Sequence, residues 1–312
     1  MDRNRPFFKT RITSLALTSN DKHVVSGSMD KTIKIWDVGT QKVRRNILAH
    51  DAAVNDVALS PHDRFILSAS DDKTVKIIDF RSGDDIFTFR EHVEEVSCVA
   101  VSADGLQVAS ISTGAGDGAE LIVWDLYDGI VRHRYPTGGD ILMRRVRFMP
   151  GGKWVVTASA VTRLVLLWDP DTGEYIYLMP GDMASRKEDV DISPDGSLAV
   201  SCGDWGEVNL WNLENGEEIF KLYHHNIDFK EPNYWQNPGL LIWNVAFFDN
   251  AKSIMSCSHD GTIKLWDTAT KNLKWSVDLK KSLTACTISQ DGSIIVAGDE
   301  EGQLYFIKPD CK

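Results

Sequence analysis

Polar and apolar positions alternate along this chain in short runs. Val54-Asn55-Asp56-Val57-Ala58-Leu59 is one, and Glu218-Ile219-Phe220-Lys221-Leu222 is another. A period of two places successive side chains on opposite faces of a strand. Turn residues separate the runs, as in Ser193-Pro194-Asp195-Gly196, Asp72-Lys73, Asp260-Gly261 and Asn215-Gly216. No segment carries a sustained helical period. Short strands rich in Val, Ile and aromatics, punctuated by such turns, predict an all-β chain.

The runs recur in a fixed order. An alternating strand comes first, then a turn, a second strand such as Phe65–Ser70, a tight turn, and a third strand ending in Trp-Asp or a variant of it. A further turn opens a fourth strand. The third strands end at Asp37, Asp79, Asp125, Asp169, Asn212, Asp267 and Lys308. Their aligned position is 36, 78, 124, 168, 211, 266 and 307, at intervals of 42, 46, 44, 43, 55 and 41 residues. A period in this range marks an array or propeller. Four strands in each of seven units predict a seven-bladed β-propeller. Length alone, at about 150 residues per domain, predicts two domains. The repeat overrides that, because each blade buries its faces only against its neighbours, so 1–312 reads as one ring. The interval of 55 residues marks an insertion over 223–240.

Composition narrows the function. With 43% hydrophobic and 25% charged residues the chain is neither disordered, collagen-like nor a coiled coil. No apolar run approaches the roughly 18 to 20 residues that cross a bilayer, and Met1–Pro6 lacks the apolar core of a secretory signal. The net charge of −11 argues against general binding to nucleic-acid phosphates. Cysteines at 98, 202, 257, 286 and 311 form no C-x-x-C pair, and the first four sit in apolar runs. They read as reduced thiols used as small hydrophobes, which predicts a cytoplasmic location.

Two units carry a more specific pattern: Ser26-Gly27-Ser28-Met29-Asp30-Lys31-Thr32-Ile33-Lys34-Ile35-Trp36-Asp37 and Ser256-Cys257-Ser258-His259-Asp260-Gly261-Thr262-Ile263-Lys264-Leu265-Trp266-Asp267. On these and the weaker repeats, the chain resembles the WD-repeat (WD40) β-propeller family over nearly its whole length. The resemblance implies four-stranded antiparallel blades. It also implies that the N-terminal segment, with Pro6, Phe7 and Phe8, supplies the strand missing from unit seven and closes the ring. Ile294–Ile307 resembles the last blade of propellers attached to NACHT-type or apoptosome-type signalling ATPases.

The family's blades are often tied by a histidine before the first strand, Ser or Thr on the second, Asp in the next turn and Trp on the third. This set pairs polar atoms that burial would otherwise strand. Carried onto this sequence, it gives Ser26, Asp30 and Trp36, with Phe8 in the histidine's place. Unit two has His50, Ser68 and Asp72, with Ile78 for the tryptophan. Unit three has His92, Ser110 and Trp124, its acid falling near Gly118. Unit six has Ser256, Asp260 and Trp266, with Pro238 in the histidine's place. Units four, five and seven lack most of the set.

Charges stand out on two first strands. Where other units have Ala16, Ala58, Ala100 and Ala246, unit four has Arg147 and unit five Asp191; two residues earlier stand Arg145 and Asp189. Unpaired buried charge is costly, so the pattern predicts an inter-blade ion-pair network at the channel wall. An anion-binding or regulatory site there is the alternative.

Related propellers place the blade connections and the turns between second and third strands on one face, the top. There the resemblance points to Arg11, Asp71, Glu95, Arg186, Trp205, His259 and Glu300. The insertion adds Phe229, Tyr234 and Trp235, aromatic anchors suited to an interface. Acidic pairs such as Asp71-Asp72 and Asp299-Glu300 favour a partner with a basic segment. Adjacent His224 and His225 raise metal binding, but neighbours on a strand face opposite ways and no acid or Cys cluster accompanies them, so no metal is expected. Thr113–Ala119 is not a phosphate loop. No Ser/His/Asp set, H-E-x-x-H or G-x-S-x-G is found. The expectation is a non-enzymatic interaction scaffold, monomeric itself and part of a larger complex, with no cofactor. A ligand-sensing propeller acting with a separate ATPase or effector is the alternative, and a propeller enzyme is a weaker third.

Overall fold

A computed structural model describes residues 10–114, 119–136, 143–152, 154–160, 162, 165–169, 172, 174–177, 185–225 and 240–310. Twenty-seven strands, β1 (Ile12–Leu17) to β27 (Leu304–Ile307), follow one another among these residues. They form seven antiparallel sheets, each built from consecutive strands. Six sheets have four strands, and the seventh has three, β25 (Leu283–Ile288), β26 (Ile295–Asp299) and β27. A 3-10 turn spans Pro61–Asp63, and no helix among the described residues is long and apolar enough to cross a membrane. The protein is a seven-bladed β-propeller.

The innermost strands are β1, β5 (Val54–Leu59), β9 (Glu95–Val101), β13 (Met143–Phe148), β17 (Lys187–Ile192), β21 (Ile242–Phe248) and β25. Each contacts the next, and β25 contacts β1. At that junction the Thr284 hydroxyl donates to Ile12 O at 2.6 Å and the Thr10 hydroxyl to Glu301 O at 3.1 Å. Pro6, Phe7 and Phe8, expected to complete blade seven, lie outside the described residues.

The core lies between blades. Phe89 of blade two stacks on Trp124 of blade three at 4.2 Å within one apolar cluster. Burying such a side chain contributes about 1.5–3 kcal/mol. Cys257, on β22 (Ser253–Ser258), and Cys286, on β25, are joined as a disulfide between blades six and seven, with Cα atoms 6.3 Å apart. This corrects the reading of all four core cysteines as reduced. They stand 29 residues apart in sequence, and only packing of adjacent blades brings them together. Cys98 and Cys202 are free and buried. The cysteine argument for a cytoplasmic location loses its basis at the bridged pair.

Every innermost strand carries a β-bulge at the same place. The register slips between Ile12 and Ser14, Val54 and Asp56, Met143 and Arg145, Lys187 and Asp189, Ile242 and Asn244, and Leu283 and Ala285. In blade three the slip skips Ser97. A bulge re-aims side chains and leaves backbone groups without a ladder partner. Both effects shape the channel.

Candidate functional site

Within the blades, the hydroxyl–indole bond is the most persistent feature. Trp36 Nε1 donates to Ser26 Oγ (2.9 Å), Trp124 to Ser110 (3.1 Å), Trp211 to Ser201 (2.9 Å) and Trp266 to Ser256 (2.8 Å). Blade four keeps it with Thr157 and Trp168 at 2.9 Å. Units four and five therefore retain this half of the set, more than the sequence indicated. In blade two, His50 bridges Asp72 and Ser68, at 2.8 Å each. In blade three, His92 Nε2 lies 2.7 Å from Ser110 Oγ, and Glu120, gripped by Arg134 at 2.8 Å, faces Nδ1 at 3.4 Å. Glu120 thus stands where an acid near Gly118 was expected. Blade five substitutes a buried ion pair: Lys187 Nζ meets Glu207 Oε1 at 2.9 Å and Asn209 Oδ1 at 3.1 Å.

Blade six corrects two expectations. His224, not Pro238, holds the histidine's place: its Nδ1 lies 2.7 Å from Ser256 Oγ and its Nε2 2.6 Å from Thr262 Oγ1. The histidine follows the preceding fourth strand, β20 (Glu218–Tyr223), so the insertion comes after it and hides it from a count backward from β21. Pro238 lies outside the described residues. Because β20 ends before them, His224 and His225 need not face opposite ways; their rings are 4.8 Å apart, and Asp260 lies 3.2 Å from His225. A carboxylate does accompany them. Both nitrogens of His224 are occupied by hydroxyls, however, and burial foremost pushes its pKa down to about 2. This geometry suits structural pairing more than metal ligation.

The residue just past each bulge forms a belt around the channel: Ser14, Asp56, Cys98, Arg145, Asp189, Asn244 and Ala285. Asp56 accepts from the Ser14 hydroxyl (2.6 Å), Cys98 Sγ (2.9 Å), Val99 N (3.1 Å) and Arg145 (3.0 Å). Arg145 Nε donates to Asp189 at 2.8 Å, and Asp189 also accepts from Asn244 Nδ2 (3.2 Å) and Val245 N (3.1 Å). Asn244 Oδ1 accepts from Cys286 N at 2.9 Å. Four belt side chains accept from the backbone N–H just past the next blade's belt residue: Asp56 from Val99, Cys98 from Val146, Asp189 from Val245 and Asn244 from Cys286. One side chain thus caps a bulge and ties two blades. Burial opposes ionisation of Asp56, but Arg145 and Arg147 outweigh it and hold its carboxyl below the usual range. Burial foremost, then Asp56, pushes the Cys98 thiol up to about 12, so it stays a donor.

Arg147 and Asp191 do not share this pairing. Arg147 lies 3.9 Å from Asp189, donates to Val146 O, and is about one-third exposed. Asp191 accepts from Phe247 N at 2.8 Å, and burial raises its carboxyl despite Arg147. Ser14, Asp56, Cys98 and Asn244 escaped the sequence reading. Their shared place in the repeat was the available signal, but four different residue types occupy it.

A recurring bond places the top-face candidates together. In five blades the N–H just past the second strand donates to the carbonyl before the first: Met29 to Arg11 (3.0 Å), Asp71 to Ala53 (3.0 Å), Asp204 to Arg186 (3.3 Å), His259 to Leu241 (2.9 Å) and Glu300 to Ser282 (3.2 Å). Glu95 pairs with Thr113 at the same end of blade three, and Trp205 adjoins Asp204. Three candidates converge across blades one, six and seven. Arg11 lies over the Trp243 ring at 4.8 Å, and Trp243 Nε1 donates to His259 Nδ1 at 3.4 Å. Burial lowers the pKa of Arg11, opposed by Glu300, and its Nε has no partner among the described residues. Trp243 occupies a bulge position and was not foreseen. Asp71 is held by Asn55 at 2.6 Å, and Arg186 stands 4.0 Å from Asp204 with its side chain 61% exposed. Phe229, Tyr234 and Trp235 lie outside the described residues.

Residues 7–37, 41–79, 83–125, 184–212 and 236–267 match the family described as WD domain, G-beta repeat. That is more than half of the chain. The chain belongs to the WD-repeat family. The matched segments of this WD-repeat protein cover third strands of blades one, two, three, five and six; blade four, with Thr157 for serine, and blade seven, with Ile307 for tryptophan, fall outside them. A guanine nucleotide-binding protein subunit beta-like protein of Encephalitozoon cuniculi is 25% identical over 222 residues, 52% of this chain and 66% of that protein. Nuclear distribution protein PAC1 of Arthroderma otae is 28% identical over 275 residues, 82% of this chain and 50% of that one. Small ribosomal subunit protein RACK1y of Oryza sativa is 31% identical over 127 residues, 38% of this chain and 33% of its own length. The chain covers less than two-thirds of each of these relatives.

Proposed function

We propose that this WD-repeat propeller is a non-enzymatic scaffold that binds a protein or peptide partner on its top face as part of a larger complex. The relatives support the class: their names describe a G-protein β-like subunit, a nuclear distribution protein and a ribosomal subunit protein. The observation that carries the site is the sector of Arg11, Trp243, His259 and Glu300. It combines an aromatic ring, a guanidinium whose Nε has no partner among the described residues, and an acid close by. Tryptophan and arginine in a partly desolvated setting are the residue types that dominate binding energy. Asp71, Glu95 and Glu300 favour a partner whose contacting segment is basic. Phe229, Tyr234 and Trp235, outside the described residues, are further candidates for contacting the partner.

The test is affinity capture from native lysate with three folded proteins: wild type, Trp243→Ala, and Tyr234→Ala with Trp235→Ala. A partner held by wild type and lost from Trp243→Ala supports the top-face site. Equal recovery by all three moves the site elsewhere. A catalytic turnover supported by the isolated chain would overturn the non-enzymatic reading.

A further inference from the structure

On the face opposite the top, blades one and two enclose a cavity of about 360 Å³. Its charge is unlike that of the whole chain. Arg44, Arg45, Arg81, His23 and His62 line it, with Asp63 as the one acid, in a protein of net charge −11. The walls come from the first turns of both blades, the start of β4 (Lys42–Leu48) and the turn after Asp79.

The acid that lines this cavity and two acids behind its wall are hydrogen-bonded to nearby turns. Asp63 accepts from Ser19 N at 2.9 Å and from the Ser19 hydroxyl at 2.6 Å, tying one blade's turn to the other. Behind the wall, Asp37 takes Thr40 N at 2.7 Å, and Asp79 takes Arg81 N and Ser82 N at 2.9 and 2.8 Å. The guanidinium groups bond only neutral acceptors. Arg44 Nη1 donates to His23 Nε2 at 2.9 Å, which requires that imidazole to be neutral. Burial and Arg44 both lower the pKa of His23, in keeping with this. Arg45 crosses to blade two, donating to Arg81 O at 2.8 Å and to Ser82 O. No carboxylate among the described residues lies within ion-pair distance of Arg44, Arg45 or Arg81. Phe80 packs against His23 at 5.8 Å and stiffens the floor.

We infer that this cleft is a binding site for a dianionic phosphate group. Counting the guanidinium and carboxylate groups, three arginines against one aspartate leave two positive charges on the lining. Planar guanidinium forks match phosphate oxygens, and several converging on one cavity favour a dianion over a single carboxylate. The group is either free phosphate or one carried on a phosphorylated side chain, since the chemistry in the cleft is the same.

The experiment is titration calorimetry at fixed ionic strength with inorganic phosphate, a phosphoserine peptide, its unphosphorylated form, and sulfate. The proteins are wild type, Arg44→Gln, Arg81→Ala and the top-face variant Arg186→Ala, each checked by thermal melting. Binding of phosphate or phosphopeptide by wild type and Arg186→Ala, weakened about tenfold or more in Arg44→Gln and Arg81→Ala, is the expected result. Tighter binding of the phosphopeptide than of inorganic phosphate assigns the group to a side chain; equal binding assigns it to free phosphate. No binding by wild type, sulfate binding as tight as phosphate, or undiminished binding in the folded arginine variants overturns the inference.

Discussion

Arg145 on blade four reaches past blade three to Asp56 on blade two, at 3.0 Å, while its Nε holds Asp189 on blade five at 2.8 Å. One guanidinium therefore joins blades that are not neighbours in the ring. Removing one partner of a buried charged set leaves the others uncompensated, at a cost of about 3–5 kcal/mol. Arg145→Met is expected to lose stability on that scale by urea unfolding at neutral pH. The loss also depends on pH. Asp56 titrates below its unfolded value, so its contribution is present above that value, about 3.9, and disappears as pH falls through the folded pKa. The gap between wild type and variant should narrow below about pH 4; a constant gap would deny the coupling.

His224 makes a second prediction. Its hydroxyl partners Ser256 and Thr262 would lose their acceptor or donor in His224→Ala, costing about 1–3 kcal/mol, whereas His225→Ala, at a less deeply buried ring, should cost less. The folded pKa is depressed to about 2, so the unfolded state binds the proton more tightly. Wild-type stability should fall as pH drops below about 6.5. His224→Gln should lose up to one proton of that slope, about 1.4 kcal/mol per pH unit. An unchanged slope would contradict a buried neutral imidazole.

Gly261 occupies the turn between second and third strands with φ +95°, a conformation that penalises any other residue. An added Cβ would also stand 2.6 Å from Lys281 O, backbone of the connection to the next blade. Gly261→Ala should lower stability by about 1–3 kcal/mol, read as a drop in melting temperature. A neutral effect would show that this inter-blade contact yields easily.

The Cys257–Cys286 pair is checked by thiol titration of unfolded protein without reductant. Three of the five cysteines should react, rising to five after reduction. Five before reduction would show that the pair is unbridged.

The periodic features were legible because each repeats. Alternating strands and turn residues recur around third strands that end in Trp-Asp or a variant of it, so blade number and strand order follow from spacing. Arg147 and Asp191 stood out as charges where other units have Ala16, Ala58, Ala100 and Ala246, and they drew attention to Arg145 and Asp189 two residues earlier. Asp56 did not, since Asp56, Ser14, Cys98 and Asn244 share a position but no residue type. What unites them is a bulge that leaves a backbone N–H to be capped, visible only once strands are paired. His224 was hidden for another reason: histidine position is fixed by the strand before it, and an insertion displaced it from the strand after. Trp243 was missed because a bulge, not sequence periodicity, turns it toward the top.

The most direct test of the scaffold reading is a hydrogen-exchange footprint of the protein with its recovered partner. The sector built from Arg11, Trp243, His259 and Glu300 predicts slowed exchange at residues 10–11, 241–243, 259–261 and 300–302, with the outer fourth strands unchanged. Protection confined to fourth strands or to the opposite face would contradict it.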